Sequence, residues 1–258
     1  MDVTPMPHYD ATPGLLADRV ILVTGAGAGI GRAVAKAAAA YGATVILHGR
    51  AVGRLESLYD EIGAVGGPTP AIFPLDLERA EGPDYDRLSG AIEEQWGRLD
   101  GLVLNAGLLG SRSPIEHHDV GEWQRVLHVN LTAPFILCRC LLPLLLESAD
   151  ASVVFTSSGV GRRGKAYWGA YAVSKFGIEG LNQVLADELA GKPGIRVNAI
   201  NPGATRTAMR AKAFPGEDPD TLPTPEDVAK TALPLCLPSC TSNGSVYTYA
   251  NGKLTKNP

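Results

Sequence analysis

The sequence predicts an α/β fold, in which a single domain is built on a doubly wound parallel sheet of about seven strands with helices on both faces. Short, wholly apolar runs alternate along the chain with longer segments that favour helices, and strands buried on both faces have this continuous apolar character. With 258 residues, 45% of them hydrophobic and 19% charged, the chain can bury a sizeable core. We expect strands at residues 20–23, 44–48, 71–75, 102–104, 153–156, 196–200 and 246–249, and helices at 32–41, 84–98, 119–147 and 170–190.

The N-terminus and the net charge narrow the possible partners. Residues 1–18 are rich in proline and lack periodicity, so we predict a surface extension before a single domain over residues 19–258. The net charge of −4 without a concentrated basic stripe argues against nucleic acid. The N-terminus does not resemble a signal peptide, and the longest apolar stretch, 135–146, is too short to span a bilayer. We therefore expect a cytoplasmic protein with no membrane partner.

The four cysteines predict neither a metal site nor a disulfide. Cys138 and Cys140 are two residues apart in a predicted helix and point to different sides, and no histidine lies near Cys236 and Cys240. We interpret all four as reduced, mostly packed thiols.

A glycine-rich turn follows the first predicted strand. The segment Thr24-Gly-Ala-Gly-Ala-Gly-Ile-Gly31 joins that strand to an alanine-rich helix. Such a turn aims free backbone N–H groups and the positive end of the helix dipole at an anion, typically a pyrophosphate. The general dinucleotide pattern G-x-G-x-x-G is not met, because Ile30 stands where the third glycine would be. The overlapping glycines at 25, 27 and 29 would also suit an S-adenosylmethionine methyltransferase.

The end of the second strand bears on the choice of cofactor. An acidic residue there would bind the ribose hydroxyls of NAD or of S-adenosylmethionine, but the residues present are His48, Gly49 and Arg50. A small residue followed by an arginine leaves room for a 2′-phosphate and places a charge opposite it. The pattern therefore favours NADP(H), with NAD(H) possible, and counts against a methyltransferase. The alternative is that Arg50 faces solvent.

Tyr171 and Lys175 form a candidate proton-transfer pair. They are four residues apart in a predicted helix, so both side chains lie on one face within reach of each other. A phenol that titrates near neutral pH needs roughly 4 kcal/mol of preferential stabilisation of its phenolate, and a nearby cation can supply it. Ser158 ends a predicted buried strand and could hold a substrate oxygen beside the tyrosine.

Taken in order, the motifs of this chain resemble those of the short-chain dehydrogenase/reductase family, over residues 20–252. Within the family the chain is most similar to the YciK group of bacterial oxidoreductases, on Val154-Phe-Thr-Ser-Ser158 and Trp168-Gly-Ala-Tyr171 among other segments. The motifs that carry the resemblance are Thr24-Gly25-x-x-x-Gly29-x-Gly31, Asp76-Leu77, Asn105-Ala106-Gly107, Asn130, Ser158, Tyr171-x-x-x-Lys175 and Asn201-Pro202-Gly203.

The resemblance implies a Rossmann-type fold and an oxidoreductase that interconverts a carbonyl and a secondary alcohol. Tyr171 would be the general acid or base, and Lys175 would lower its pKa and contact the nicotinamide ribose. Ser158 would bond the substrate oxygen, and Asn130 would hold a water in a proton relay to Lys175. Ser157 is the competing choice for Ser158, and the thirteen-residue spacing to the tyrosine favours Ser158.

The resemblance also implies which residues hold the cofactor. Many NADP-using members have a basic residue in the glycine loop where this chain has Ala28, so the expectation of NADP(H) rests on Arg50. The implied cofactor residues are Gly25, Gly29, Ile30, Gly31, Arg50, Asp76, Leu77, Asn105, Ala106, Gly107, Tyr171, Lys175, Pro202, Gly203, Thr205 and Thr207.

The substrate is expected to be a small carbonyl or alcohol with an apolar flank, such as a 3-oxoacyl group. Residues 205–222 follow the Pro-Gly turn and carry glycine and proline suited to a lid. Arg162 and Arg163 raise the idea of an anionic substrate tail, although two solvated surface arginines are the simpler interpretation. The expected pocket residues are Leu108, Leu109, Gly159, Val160, Trp168 and residues 209–214.

Two further expectations concern assembly and a rival function. The predicted helix 119–147 carries more apolar side chains than one buried face needs, and the family resemblance implies a homotetramer or homodimer built on this helix and the Tyr171 helix.

The alternative to an enzyme is a catalytically silent nucleotide-binding regulator on the same fold. The complete Asn130, Ser158, Tyr171 and Lys175 set argues against it, since a pure binder need not retain the tyrosine.

Overall fold

In the computed structural model, which describes residues 14–257, strands and helices alternate as expected. The strands are β1 Val20–Thr24, β2 Thr44–Gly49, β3 Ala71–Pro74, β4 Gly101–Leu104, β5 Ala151–Thr156, β6 Ile195–Asn201, β7 Val246–Ala250 and β8 Lys253–Lys256. The helices are α1 Gly29–Ala40, α2 Val52–Ala64, α3 Gly82–Trp96, α4 Val120–Leu127, α5 Ala133–Leu146, α6 Gly169–Glu188, α7 Ala208–Ala213 and α8 Pro225–Ala232.

One sheet contains all eight of these strands, in the order β3-β2-β1-β4-β5-β6-β7-β8. Every neighbouring pair is parallel except β7 and β8. The predicted α/β doubly wound fold is therefore confirmed, with one correction. The edge strand β8, which the sequence did not predict, makes the sheet mostly rather than wholly parallel.

Two layers of helices cover the sheet, one on each face. Side chains from α1, α2 and α8 form one core with the strands, and side chains from α3, α5 and α6 form the other. The strand order reverses between β1 and β4, and the crevice at that point is where ligands bind in open parallel sheets.

The buried hydroxyl of Thr24 holds the two strands together at this reversal. Its Oγ1 accepts hydrogen bonds from the backbone N–H groups of Asn105 (2.9 Å) and Ala106 (3.0 Å). The Asn105 side chain returns a bond to the Thr24 carbonyl, with 3.2 Å between the two atoms. The end of β1 and the turn after β4 are thereby fixed to each other.

The long helix predicted over residues 119–147 is interrupted. A π-helical turn, His128–Thr132, separates α4 from α5, and the Ala133 N–H bonds the His128 carbonyl five residues back. Pro134 follows immediately and has no N–H to donate to the Asn130 carbonyl in the α-helical pattern. The predicted bend at Pro134 is thus a change of hydrogen-bonding register just before it.

The segment from Val120 to Leu146 is the one described helical stretch long and apolar enough to cross a membrane by length and composition, and half of its most apolar window is buried in the protein. Its buried side chains, which include Leu137, Leu141 and Leu145, belong to the core beneath the sheet. The same test is passed by core helices of soluble proteins, and the packing explains the apolar character here.

The predicted extension over residues 1–18 lies mostly outside the described residues. Within the described part, Leu16 is fully buried in the core, and its N–H bonds the Tyr41 carbonyl at 2.9 Å. The packed domain therefore begins before the predicted boundary at residue 19.

Candidate active site

A cleft of about 440 Å³ opens at the carboxyl ends of the parallel strands. Almost all of the predicted site residues line it, and the two exceptions are Gly31 and Asn130. The predicted residues that line the cleft are Gly25, Gly29, Ile30, Arg50, Asp76, Leu77, Asn105, Ala106, Gly107, Ser158, Tyr171, Lys175, Pro202, Gly203, Thr205 and Thr207.

The glycines of the first turn have two different physical roles. Gly25 and Gly29 have φ of +69° and +56°, a backbone conformation that other residues rarely adopt. Gly31 lies in α1, where a Cβ would stand 2.5 Å from both the Asn105 Nδ2 and the Gly25 carbonyl oxygen. Gly31 therefore allows the helix to pack closely on the turn, and its predicted contact with the pyrophosphate stays a prediction.

Helix α6 brings Tyr171 and Lys175 together beside Ser158. The two helical residues are one turn apart, the ammonium nitrogen lies 5.6 Å from the centroid of the tyrosine ring, and the Tyr171 hydroxyl is hydrogen-bonded to the Ser158 side chain. Lys175 donates a 2.7 Å hydrogen bond to the carbonyl of Thr156, at the end of β5. The three groups thus form one contiguous cluster on the floor of the cleft.

Burial moves the pKa values of the two ionisable groups in opposite directions. Loss of water raises the pKa of Tyr171, and the hydrogen bond with Ser158 only partly opposes this effect. Burial also lowers the pKa of Lys175 to about 8. The expected lowering of the Tyr171 pKa is therefore not found, because desolvation outweighs the hydrogen bond with Ser158. At neutral pH the phenol is protonated and can donate a proton.

Asn130 lies behind the cleft in the π-helical turn, and both N–H groups of its side-chain amide already donate hydrogen bonds within the protein. Its Oδ1 accepts from the Leu108 N–H (2.7 Å), and its Nδ2 donates to the Leu108 carbonyl (2.8 Å) and to the Ser174 Oγ (3.0 Å). The amide thereby fixes the loop after β4 against α6. The backbone carbonyl of Asn130 can still accept a hydrogen bond from a relay water, because Pro134, four residues later, has no N–H to donate to it.

Ser157, the alternative to Ser158, has its side chain hydrogen-bonded to α6. Its Oγ donates a 2.7 Å hydrogen bond to the buried carboxylate of Glu179, which lies one turn beyond Lys175. Arg162 forms an ion pair with the same carboxylate, with 3.3 Å between Nε and Oε2. This arrangement ties the turn after Ser158 to α6, and it gives Arg162 a structural partner in place of a substrate tail.

At the opposite end of the cleft, two arginines face the site at which a cofactor ribose is expected. Arg50 lines the cleft and makes a loose ion pair with Glu78, with 3.8 Å between Nη1 and Oε2. Arg54, in the first turn of α2, also lines the cleft and has no ion pair within the described residues. Sequence reasoning missed Arg54, although its position four residues after Arg50 was an available signal.

The residues after β6 are held by local hydrogen bonds. Gly203 donates from its N–H to the Asn201 Oδ1 at 3.1 Å, and the buried Thr205 hydroxyl donates to the Pro202 carbonyl at 3.0 Å. Thr207 caps α7, because its Oγ1 accepts from the Arg210 N–H at 3.2 Å. The turn at Gly29 approaches this cap, since a Cβ on Gly29 would lie 3.4 Å from the Thr207 methyl. The start of α7 therefore borders the cleft beside the glycine turn.

Beside Tyr171 the cleft has an apolar, aromatic wall, which we call the substrate wall. Leu109, Trp168 and Ala213 are buried together there, with Tyr171 and Phe214 packed against them. The Trp168 ring centroid lies 5.9 Å from those of both Tyr171 and Phe214. Of the predicted pocket residues, Val160 packs against this cluster, whereas Gly159 does not line the cleft.

Within residues 14–257 no group of three or more metal-ligating side chains is present. The cysteines are unpaired, and burial raises the pKa of the Cys140 thiol to about 11.

Comparisons with known proteins agree with this geometry. Residues 19–218 match the family model for short chain dehydrogenases. The chain is 52% identical to the oxidoreductase YciK of Escherichia coli K12 over 230 residues, which is 89% of each chain. Two solved short chain dehydrogenase structures are also similar. The one from Shigella flexneri 2a, complexed with NADP, has 48% identity, a TM-score of 0.89 and coverage of 92% of this chain and 99% of that one. The one from Escherichia coli CFT073, complexed with NADPH, has 50% identity, a TM-score of 0.88 and coverage of 91% and 98%.

Proposed function

The chain belongs to the short-chain dehydrogenase family, and from that premise we propose that it is an NADP(H)-dependent oxidoreductase interconverting a carbonyl and a secondary alcohol. The observation that carries the proposal is the cluster of half-buried Ser158 and Tyr171 with buried Lys175, in which a protonated phenol is bonded to a hydroxyl on the floor of the cleft. A binding protein would not need a proton donor at this position.

The catalytic residues divide the proton chemistry among them. When bound, the nicotinamide supplies or accepts the hydride. During reduction Ser158 orients the carbonyl oxygen, and Tyr171 donates its proton to that oxygen as negative charge develops there. Lys175 stabilises the resulting phenolate and would contact the cofactor ribose. The Asn130 carbonyl is the acceptor through which a water can lead a proton to Lys175, and in the reverse direction Tyr171 acts as the base.

The cleft suits a dinucleotide with a 2′-phosphate. The turn at Gly25 and Gly29 exposes backbone in a positive-φ conformation that favours glycine, and the two residues directly after β2, Arg50 and Ala51, include no acidic group to repel a phosphate. Arg50 and Arg54 both border the cleft at that end. The solved relatives complexed with NADP and NADPH support the same cofactor here.

The proposal extends to the class of substrate, the oligomeric state and the cellular location. The wall of Leu109, Trp168 and Ala213 suits a carbonyl with an apolar flank, of which a 3-oxoacyl group is one example. Residues 205–222 would act as the lid over this wall. We place the enzyme in the cytoplasm as a homotetramer or homodimer, with no nucleic-acid or membrane partner.

Replacement of Tyr171 distinguishes an oxidoreductase from a catalytically silent nucleotide-binding regulator. Tyr171→Phe should retain NADPH binding and lose at least about a hundredfold in kcat/KM across a panel of ketones and aldehydes, because the proton donor is gone. Tyr167→Phe is the matched control, since the exposed Tyr167 loses the same hydroxyl four residues earlier on the same segment. Full activity in Tyr171→Phe would refute the mechanism, and NADPH binding without turnover of any carbonyl would favour the regulator.

Removal of the two arginines tests the cofactor preference. Arg50→Ser combined with Arg54→Ser should weaken NADPH binding by about a hundredfold, because each charge-assisted bond to the phosphate contributes roughly 1.5–3 kcal/mol. NADH binding should change little. Fluorescence titration of both nucleotides measures the effect, with Arg87→Ser on α3 as a control that removes an exposed arginine away from the cleft. Tighter binding of NADH than NADPH by the unmodified protein would overturn the assignment.

A further inference from the structure

We propose that Arg112 binds an anionic group on the substrate, so that the enzyme acts on carbonyl compounds with an apolar or aromatic body and a carboxylate or phosphate at the far end. This inference rests on the proposed function and deepens it. It assigns a specificity residue in the loop between β4 and α4, which no motif of the sequence marks.

Arg112 contacts the substrate wall at three residues. Its guanidinium carbon lies 5.0 Å from the ring centroids of both Trp168 and Phe214, and its Nη1 donates to the carbonyl of Ala213. Trp168 and Ala213 line the cleft, and Trp168 also packs against Tyr171. One aromatic ring therefore contacts both the proton donor and the guanidinium.

The charge around Phe214 is not balanced. Three cations approach this ring, at 5.0 Å for Arg112, 5.9 Å for Lys165 and 3.8 Å for Arg210. Arg210 is neutralised by two 2.6 Å hydrogen bonds to Glu217. Arg112 and Lys165 have no carboxylate partner within the described part of the chain. The edge of the substrate wall thus carries two uncompensated positive charges.

The remaining donors on this wall are suited to an anion. A guanidinium carries five N–H donors in a planar fork, and the bond to Ala213 uses part of that set. The buried indole N–H of Trp168 also has no hydrogen-bond partner among the described residues. A carboxylate or phosphate can accept two bonds from the guanidinium, while its apolar body lies along Leu109 and Trp168.

A purely structural role for Arg112 would be to hold α7 against the wall. Arg112→Gln separates the two roles, because glutamine keeps an N–H donor for the Ala213 carbonyl and loses the charge. Lys212→Gln is the control, since it removes a cation from the exposed side of the same helix. Retention of the melting temperature and of NADPH affinity would show that both variants are folded.

The test uses three matched ketones: para-acetylbenzoate, para-acetylphenyl phosphate and the neutral para-acetylbenzamide. With the unmodified enzyme and NADPH, at least one anionic ketone should have a kcat/KM at least about tenfold above that of the amide, mainly through KM. The preference should weaken as ionic strength rises. Arg112→Gln should abolish the preference, whereas Lys212→Gln should retain it. Comparison of the two anionic ketones identifies carboxylate or phosphate as the preferred group.

Binding measurements keep this inference separate from the reaction itself. Calorimetric titration of the same compounds into the complex with NADP should show tighter binding of an anionic ketone, lost in Arg112→Gln. If that selectivity is present without turnover, the proposed function fails while the anion site stands. Equal binding and equal kcat/KM for the anionic and neutral ketones, with no effect of Arg112→Gln, would overturn the inference and leave the proposed function intact. Should Arg112→Gln fail to fold, a preference of the unmodified enzyme that does not depend on ionic strength would count against the inference.

Discussion

At the residue scale, burial sets the resting protonation state of Tyr171, the proposed proton donor. Partial burial raises the pKa of the Tyr171 phenol, and full burial lowers that of the Lys175 ammonium to about 8. Both effects follow from the cost of holding a charge away from water. At neutral pH the phenol keeps its proton and the lysine is mostly charged, so the protein is prepared to act as an acid.

His48 provides a stability test at the same scale. The side chain is 1% exposed at the end of β2, and neither ring nitrogen has a hydrogen-bond partner within the described residues. Burial lowers the pKa of His48 from 6.5 to about 4. Between those values the unfolded chain binds a proton that the folded protein does not, so the free energy of unfolding falls as the pH decreases.

Replacing His48 with an apolar residue should therefore make the free energy of unfolding less dependent on pH in the acid range. Between pH 7 and pH 5 the unmodified protein should lose about 2 kcal/mol more of its unfolding free energy than His48→Phe does. Urea unfolding at both pH values measures the difference. His117→Gln, which removes a histidine that is 73% exposed on its side chain, should behave like the unmodified protein. Parallel losses in the unmodified protein and His48→Phe would show that His48 is protonated in the folded state.

At the element scale, local patterns predicted what depends on local chemistry. Seven strands were predicted close to their observed positions, because a strand buried on both faces is apolar throughout. The edge strand β8 was missed because it has four residues, of which only Leu254 is buried, and so it forms no apolar run. The π-helical turn at His128–Thr132 was missed because one extra residue in a single turn leaves the apolar spacing almost unchanged.

The candidate site shows the same division between local and distant information. The spacing of Tyr171 and Lys175 on one helix, and the glycines of the first turn, could be read directly from the chain. The contact of Arg112 with Ala213 joins residues 101 positions apart and leaves no periodic signal. Glu179 could have been noticed at the next turn after Lys175, but its bond to Ser157 depends on how β5 meets α6.

At the scale of the whole molecule, one helical layer presents apolar side chains that the described fold does not cover. Phe135 on α5 is 49% exposed, and Val173, Phe176 and Val184 on α6 are 45%, 46% and 55% exposed. The three α6 residues are spaced so that they share one face of the helix. Apolar residues grouped in this way on neighbouring elements are typical of a subunit interface. They correspond to the helices that the family resemblance implied for assembly.

We therefore predict that this layer mediates self-association. The unmodified protein should sediment as a dimer or tetramer at micromolar concentration, and Phe135→Glu combined with Phe176→Glu should shift it to a smaller species, because two charges would be buried without partners. Val65→Glu is the matched control, since Val65 is 69% exposed but directly follows α2 on the opposite face of the sheet. An unmodified protein that sediments as a monomer would contradict the prediction. Dissociation by Val65→Glu, with no effect of the double variant, would place the interface on the other helical layer.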